Sequence, residues 1–412
     1  MINRNVHTIT KATSFLTICV LFSFSCHESD PSSSPVTDYV YTTPQQMNDG
    51  WTTASMQSEG MDLAPMIQLM GSLRGNPDNY LHSILIIKSG KLVFEEYFPG
   101  KQVDFEDPLT SNNELKYVTA DFSAGILHMQ SSVSKSFTSA VVGLAIDKGF
   151  LSSVEQKMFA FFPDYASLAD SAKNSITLKH CLTMTSGLPF DDSSYPIGDP
   201  RNDESGLFTA ADPVAFTLGR SLFAAPGTTF KYNSGTTVLL GDIVKRATGF
   251  ALPQFADDNL FKPLQISSYR WVGLLNAKQT TFASGGLYLT PRSMAKFGQM
   301  YLQNGMWNGV RILSEEWVKR STAAIIPIHQ GKKNFVFDGY GYLWWIGKFT
   351  SRNLDCFAAQ GWGGQFIVVI PARQLVVVIT GGIFSAGDPF SNTLPFDPYN
   401  FVINEHILEA DR

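Results

Sequence analysis

The stretch Gln130-Ser131-Ser132-Val133-Ser134-Lys135-Ser136-Phe137 opens a run of helical periodicity that ends at Gly149. Ser132 and Lys135 are three residues apart, so on a helix they share one face. The spacing predicts Ser132 in the first helical turn, where unpaired backbone N–H groups and the helix dipole favour developing negative charge. A serine hydroxyl one turn from an amine is a candidate nucleophile beside a candidate base.

The Ser-x-x-Lys spacing is weak evidence by itself. A second copy runs from Ser293 to Lys296, also on a predicted helix, and chance supplies a copy or two in a chain of this size. By spacing alone, each copy is best interpreted as an ordinary helix start. Other features of the chain must therefore distinguish the two.

Two further motifs contain groups that a reactive serine needs. Residues 226–235 predict a turn that presents Tyr232 directly before a helix, where a phenol can exchange a proton with Ser132. In Gly361-Trp362-Gly363-Gly364-Gln365, three glycines precede a β-branched run, so backbone can approach a ligand closely and the Gln365 N–H can donate to an oxyanion. The alternative interpretations are a tyrosine packed at a domain surface and a hairpin turn with a surface tryptophan.

The remaining pattern predicts strands at both ends of the chain around a long helical block. The predicted strands are Ser83–Ile87, Leu92–Tyr97, Tyr340–Ile346, Asp355–Gln360, Phe366–Ile370 and Leu375–Thr380. The predicted helices include Asp62–Arg74, Thr236–Thr248, residues 291–303, residues 314–321 and Asn400–Glu409. The segment from Asp191 to Asp212 has little periodicity and is predicted to be a substrate-binding or lid loop.

This order predicts an α+β fold, an α/β sandwich with a central antiparallel sheet built from N- and C-terminal strands. Helices flank the sheet, and a second, mainly helical lobe follows from the middle of the chain. We expect residues 51–150 and 280–412 to form the sheet lobe and residues 151–279 the helical lobe of one domain, 51–412. The cleft between the lobes is the expected place for a site.

The N-terminus predicts export. Basic residues precede a short apolar run, Phe15 to Phe24, which is too short to span a bilayer as a helix. We expect residues 1–25 to be a signal peptide of lipoprotein type, with Cys26 as the lipidated first residue and residues 26–50 as a tether. A periplasmic or outer-membrane lipoprotein is the favoured outcome. Plain secretion is the alternative, and an N-terminal core helix is the non-targeting interpretation.

Composition and missing motifs exclude several classes of protein. The 412-residue chain has a net charge of -5 and no basic stripe, so it shows no electrostatic footprint for nucleic acid. It has no Gly-x-Ser-x-Gly elbow, His-Glu-x-x-His pair, P-loop or dinucleotide fingerprint. No metal or cofactor is therefore expected. Cys181 is interpreted as a small buried hydrophobe, and His128, four residues before Ser132, either lines the site or is an ordinary loop histidine.

The three motifs, in this order, resemble the serine β-lactamase and penicillin-binding-protein superfamily. The closest likeness is to its class C-like branch of esterases and 6-aminohexanoate-dimer hydrolases. Three neighbouring blocks are also similar to that branch: residues 136–149, 182–188 and 283–287. The resemblance covers about residues 50–409, implies a β-lactamase/transpeptidase-like fold, and makes Ser293 the chance copy.

By this resemblance Ser132 is the acylated nucleophile, and Lys135 and Tyr232 are the proton-transfer pair. Lys135 is expected to hold its charge near the phenol, so that Tyr232 deprotonates more readily. Which of the two takes the serine proton stays open. The oxyanion and substrate-binding positions fall on Ser234, Trp362, Gly363, Gly364 and Gln365, with the backbone N–H groups of Ser132 and Gln365 as oxyanion donors.

Two departures bear on the substrate. Trp362-Gly363-Gly364 stands where penicillin-recognising members have Lys-Thr-Gly, and Ser234 replaces the usual Asn. The groups that bind a substrate carboxylate are therefore missing. The resemblance implies an exported hydrolase that forms an acyl-enzyme with a small ester, amide or peptide-like substrate. The alternatives are a β-lactamase or D-Ala-D-Ala carboxypeptidase, and a non-catalytic envelope module that binds peptide or glycan.

Overall fold

The computed structural model describes residues 39–382 and 396–412, except 75, 77–79, 105–115, 193, 196, 276 and 278. The predicted signal peptide, Cys26 and the first part of the tether lie outside the described residues. All described residues belong to one unit of the chain, Thr37–Arg412. Among these residues, no helix combines the length and the apolar character needed to cross a membrane.

A large antiparallel sheet organises the fold. The strands are β1 Thr52–Thr53, β2 Leu81–Lys88, β3 Lys91–Tyr97, β4 Pro99–Val103, β5 Tyr117–Asp121, β6 His128–Met129, β7 Tyr269–Trp271, β8 Leu287–Leu289, β9 Met306–Trp307, β10 Val310–Arg311, β11 Ile326–Lys332, β12 Phe335–Tyr340, β13 Trp345–Phe349, β14 Leu354–Gly361, β15 Gln365–Ile370 and β16 Leu375–Gly381. In the described part of the chain, the main sheet has nine strands in the order β1-β3-β2-β16-β15-β14-β13-β12-β11. Only the short β1–β3 pairing in it is parallel.

Strands from the two ends of the chain meet at β2 and β16, which pair antiparallel with Ile84 opposite Ile379. The predicted fold class is thereby confirmed. The strands β15 and β16 are buried along their whole length, which explains their unbroken apolar sequences. The remaining described strands form three small sheets. One of them, with the order β6-β8-β7, bears on the site because β6 leads directly into the Ser132 region.

Helices cover the sheet and form the middle of the chain. They are α1 Ala64–Arg74, α2 Val133–Asp147, α3 Leu178–Leu182, α4 Asp203–Thr209, α5 Pro213–Leu218, α6 Ser234–Thr248, α7 Leu252–Ala256, α8 Pro291–Leu302, α9 Glu315–Ser321 and α10 Leu408–Ala410. Wider π-helical turns, Asp257–Phe261 and Pro398–Ile407, follow α7 and precede α10. The helix α8 packs against β15, β16 and β2, and α2 packs against β14 and β15.

The predicted strand Tyr340–Ile346 is wrong. The strand β12 ends at Tyr340, the chain turns, and β13 begins at Trp345. Tertiary contacts override the aromatic strand-like sequence, because the Leu343 backbone adopts φ +60° and its N–H donates to the Leu182 carbonyl at 2.9 Å. The strands β11 and β12 lay outside the prediction, since their sequences lack a clean apolar alternation.

Candidate active site

The predicted nucleophile and amine lie side by side at the start of α2. Lys135 Nζ donates to Ser132 Oγ at 2.9 Å and to the Ser284 carbonyl at 2.9 Å, and the Lys135 side chain is buried. Ser132 occupies the position just before the helix rather than its first turn, and its hydroxyl makes no capping bond. The hydroxyl is therefore available for chemistry, although serine at this position usually satisfies a backbone N–H.

Close backbone packing holds the nucleophile in place. Ser131 has φ +45°, an uncommon conformation for a residue with a side chain. On the other side lies Gly361 at the end of β14, where an added Cβ would stand 2.4 Å from the Gln130 carbonyl oxygen and 3.0 Å from the Ser132 nitrogen. A glycine is required at 361 because only it lets the two backbone segments approach this closely. Backbone strain next to a reactive group is typical of functional sites.

The block Ala283–Leu287 supports the helix that bears the serine. The Thr138 hydroxyl donates to the Ala283 carbonyl at 2.7 Å, and the Leu287 N–H donates to the Ser134 hydroxyl at 3.2 Å. Together with the bond from Lys135 to the Ser284 carbonyl, these contacts fix α2 against the entry to β8. The block therefore orients the amine of Lys135.

Tyr232 joins the pair from the loop before α6. Its ring centroid lies 4.8 Å from Lys135 Nζ, and it stacks on Trp345 with centroids 5.9 Å apart and planes 25° apart. Burial raises the pKa of the Tyr232 phenol, and the positive charge of Lys135 and a hydrogen bond with Ser132 pull this pKa down only in part. Lys135 lowers the pKa of the Tyr232 phenol, as expected from the sequence. Burial outweighs this effect, so the resting phenol is protonated at neutral pH.

Asn233, the middle residue of the tyrosine motif, sets the start of α6. Its side chain accepts from the Thr236 N–H at 2.9 Å and donates to the Leu188 carbonyl at 3.0 Å. The helix therefore begins at Ser234, two residues before the predicted start. This cap places Tyr232 outside the helix and Ser234, which is buried, inside its first turn.

The glycine motif forms the turn between β14 and β15. Gly363 and Gly364 have φ values of +88° and +94°, which only glycine adopts freely. Gln365 opens β15 opposite Gly361, and its side chain donates to the Gly381 carbonyl at 2.7 Å. The motif therefore packs next to Ser132 through Gly361. Trp362 is partly exposed.

The second Ser-x-x-Lys copy makes different contacts. The Ser293 hydroxyl bonds with the Thr290 hydroxyl at 2.9 Å, and Lys296 Nζ donates to the Gln265 carbonyl at 2.6 Å. Both residues stabilise the start of α8 and its surroundings. Local spacing is the same in the two copies, and only Ser132 and Lys135 bond to each other.

Two carboxylates of this region, Asp192 and Glu204, are not identified by the sequence analysis. The positive charge of Lys135 opposes the rise in the pKa of both Asp192 and Glu204 that burial causes, and the Ser234 side chain opposes it at Glu204 as well. Burial, reinforced by the negative charge of Asp192, raises the pKa of Glu204 to about 7, while Lys135 opposes the shift. The signal was present in the sequence, since the segment predicted to bind substrate contains two acidic pairs, Asp191-Asp192 and Asp203-Glu204.

The ring of His128 bonds with His82 and with the Met129 carbonyl rather than with Ser132. The His82 Nδ1 and His128 Nε2 atoms are 2.7 Å apart, both rings are buried, and burial holds the pKa of His128 near 4. This neutral pair stabilises β6 below the site. Elsewhere in the described residues, no group of three or more His, Cys, Asp or Glu side chains is arranged to hold a metal ion.

Comparison with known proteins identifies the family. The sequence model of the family described as Beta-lactamase matches residues 82–390, which is most of the chain. The chain belongs to the beta-lactamase family. It is 28% identical over 283 residues to the 6-aminohexanoate-dimer hydrolase of Paenarthrobacter ureafaciens, covering 64% of this chain and 68% of that protein. The family and this relative support a hydrolase.

Solved structures agree on the fold. EstCE1, described as a hydrolase with promiscuous acyltransferase activity, superposes with a TM-score of 0.63 at 13% identity, covering 85% of this chain and 99% of its own. A family VIII carboxylesterase superposes with a TM-score of 0.59 at 15% identity, covering 85% of this chain and 98% of its own. At these identities the likeness shows the β-lactamase-type fold alone.

Proposed function

We propose that this protein is an exported serine hydrolase that cleaves an ester or amide through an acyl-enzyme on Ser132. The observation that carries the proposal is the 2.9 Å bond between Lys135 Nζ and Ser132 Oγ, in a site that Tyr232 completes. A serine hydroxyl beside a buried amine and a phenol has the groups that acyl transfer needs. The names of the relatives support ester and amide substrates rather than another reaction class.

The proposed reaction has two halves. The reactive form is the one in which the Lys135–Tyr232 pair has already released one proton to water. In the first half, Ser132 Oγ attacks the substrate carbonyl carbon, and the serine proton passes to the deprotonated member of the pair. The backbone N–H groups of Ser132 and Gln365 donate to the oxyanion, and the pair returns the proton to the leaving alcohol or amine. In the second, water attacks the acyl-serine ester and loses a proton to the same pair. The acid leaves, and the Ser132 hydroxyl is restored.

The glycine turn supports an ester or amide over a penicillin. The positions of a carboxylate-binding cation and hydroxyl are taken by Trp362 and Gly363. The Gln365 side chain is engaged with Gly381, 2.7 Å away, and so does not replace them. The partly exposed Trp362 offers an apolar surface for an uncharged part of the substrate.

A fluorophosphonate probe and p-nitrophenyl esters test this function directly. We expect labelling at Ser132 and ester turnover that falls at least about a thousandfold in Ser132→Ala, because the nucleophile is lost. Ser293→Ala is the matched control: it removes a serine from the other Ser-x-x-Lys copy and should leave turnover within about twofold. Unchanged turnover in Ser132→Ala would refute the assignment. Fast cephalosporin hydrolysis with no ester cleavage would favour a β-lactamase.

Export is a separate part of the proposal. It is supported by the charged, apolar and small-residue order of residues 1–25 followed by Cys26. The mass of the protein recovered from cell envelopes tests it. A mature chain that starts at a diacylated Cys26 is the expected result, and an unmodified N-terminus would replace the lipoprotein by a secreted form.

A further inference from the structure

The backbone around Tyr232 is held from both sides by one residue, Met184. The Lys231 N–H donates to the Met184 carbonyl at 2.8 Å. The Asn233 N–H donates to the Met184 thioether sulfur, Sδ, at 3.3 Å. Lys231 and Asn233 flank Tyr232 in the sequence, so the two bonds fix the backbone on either side of the residue that bears the phenol.

Met184 lies just beyond the end of α3, in a position that glycine usually occupies. The Thr185 N–H donates to the His180 carbonyl at 2.8 Å, and the Met184 N–H donates to the Cys181 carbonyl at 3.3 Å. These bonds form a Schellman motif, in which the residue after the C-cap takes a left-handed conformation. Met184 accordingly has φ +58°, a conformation less favourable for a residue with a side chain than for glycine.

The side chain of Met184 gives a reason for methionine rather than glycine at this position. It is buried, with 1% exposed, and its sulfur accepts from a backbone N–H that is buried as well. A thioether is a weak acceptor, but a buried N–H that loses its acceptor is unfavourable in free energy. Glycine would relax the backbone and remove the acceptor from the Asn233 N–H. An unfavourable backbone conformation kept beside reactive groups is typical of a functional position.

The same segment is tied to the helix that bears the nucleophile. The Leu182 carbonyl accepts from the Leu343 N–H at 2.9 Å, and the Ser136 hydroxyl donates to the Leu343 carbonyl at 2.7 Å. Ser136 follows Lys135 in α2. The end of α3 therefore contacts α2 through Leu343 and the tyrosine loop through Met184. It is a common support for the two parts of the site between which the proton passes.

We propose that Met184 is a positioning residue that holds Tyr232 where it can exchange a proton with Ser132 and Lys135. The role rests on the proposed function, since it requires that Tyr232 moves a proton in the reaction. Met184 acts through the backbone of Lys231 and Asn233 and does not itself touch the substrate. The acylating groups remain Ser132, Lys135 and Tyr232.

Two substitutions at position 184 separate the sulfur from the bulk of the side chain. Met184→Leu keeps a buried apolar side chain and has no acceptor. In Met184→His, the Nδ1 atom stands as many bonds from Cα as Sδ does, and it can accept from the Asn233 N–H at pH 8, where imidazole is neutral. Met158→Leu is the matched control, because Met158 is also buried and its sulfur accepts from the Cys181 thiol of α3 at 3.6 Å.

The kinetics of p-nitrophenyl acetate hydrolysis measure the effect. We expect Met184→Leu to lower kcat at least about tenfold with KM within about twofold of the wild type, because an interaction needed only in the transition state is lost. Met184→His should recover kcat to within about threefold of the wild type, and Met158→Leu should stay within about twofold. Each kcat refers to folded protein, whose fraction is measured by circular dichroism, so partial unfolding does not count as lost catalysis. A kcat of Met184→Leu equal to that of Met158→Leu, or Met184→His no more active than Met184→Leu, would overturn the role.

A double-mutant cycle with Tyr232→Phe separates positioning from general support of the fold. If Met184 acts through the phenol, adding Met184→Leu to Tyr232→Phe should lower the residual rate less than about twofold, because the group it positions is already gone. The rate of labelling by a fluorophosphonate probe provides the same comparison where ester turnover is too slow to measure. An equal loss in the wild-type and Tyr232→Phe backgrounds would show that Met184 does not act through Tyr232.

The outcomes also separate this role from the proposed function. Ester turnover that depends on Ser132 and is unchanged by Met184→Leu would refute the role of Met184 alone. Absence of any turnover dependent on Ser132 in the otherwise unchanged protein would refute the proposed function and the role of Met184 with it.

Discussion

Replacing Glu204 by glutamine should change how the stability of the protein depends on pH. The pKa of Glu204 lies at about 7 in the folded protein, against an ordinary value of 4.5, chiefly because the carboxylate is buried. Below pH 4.5 the group is protonated in both the folded and the unfolded chain and contributes no difference. Between pH 4.5 and 7 the unfolded chain releases the proton and the folded chain retains it, so the free energy of unfolding falls as pH rises.

The size of this loss follows from the two pKa values. Their separation corresponds to about 3 kcal/mol, reached in full above pH 7. Glutamine has nearly the same volume, keeps an acceptor for Ser234 and does not ionise. Glu204→Gln should therefore be about 2 to 3 kcal/mol more stable than the wild type at pH 8, and about equal to it at pH 4.5.

Urea unfolding of the two proteins at pH 4.5, 6, 7 and 8, followed by far-UV circular dichroism, measures this difference. Glu405→Gln is the matched control, because it makes the same substitution at an exposed residue of the C-terminal helical segment. Asp192→Asn should move the transition to lower pH, because the Asp192 charge helps to raise the pKa of Glu204. A stability difference between wild type and Glu204→Gln that is constant from pH 4.5 to 8 would refute the reasoning.

Two further predictions follow from packing and burial. Gly361→Ala should lower ester kcat at least about tenfold and destabilise the protein by about 1 to 3 kcal/mol. The reason is that the new Cβ would meet the Gln130 carbonyl and push the backbone at Ser132. A kcat near that of the wild type would show that this close contact is not needed for catalysis. Cys181 should resist alkylation by iodoacetamide at pH 8 in the folded protein, because burial raises the pKa of its thiol to about 12. Peptide mass mapping before and after unfolding measures the extent of alkylation. Rapid labelling of Cys181 in the folded protein would contradict the prediction.

The parts of the fold that the sequence predicts are those set by short-range pattern. The hairpin of β2 and β3 and the apolar runs of β15 and β16 have local signatures, and so does the helical spacing of Ser132 and Lys135. The turn after Tyr340 has no such signature. Its shape depends on a backbone bond from Leu343 to Leu182, about 160 residues away, which no local propensity encodes.

The electrostatics of the site depend on burial, which the sequence does not state. The charge of Lys135 near Tyr232 predicts a lower phenol pKa, and that contribution is present. Desolvation is larger, and its size is known only when Trp345 and the surrounding chain are in place. A motif therefore predicts which groups meet, and the fold decides which protonation state they hold.

Asp203 and Glu204 show how differently the fold surrounds two neighbouring carboxylates. They are consecutive residues at the start of the same helix, and they experience the same helix dipole. Asp203 forms an ion pair with Arg220. Glu204 forms no ion pair among the described residues, the Ser234 side chain lowers its pKa only in part, and its Oε2 atom is buried without a hydrogen-bond donor. A carboxylate needed only for stability is better served by an arginine, as its neighbour is. Glu204 is instead the carboxylate whose ionisation lowers the stability of the fold, and the pH dependence of unfolding reveals it.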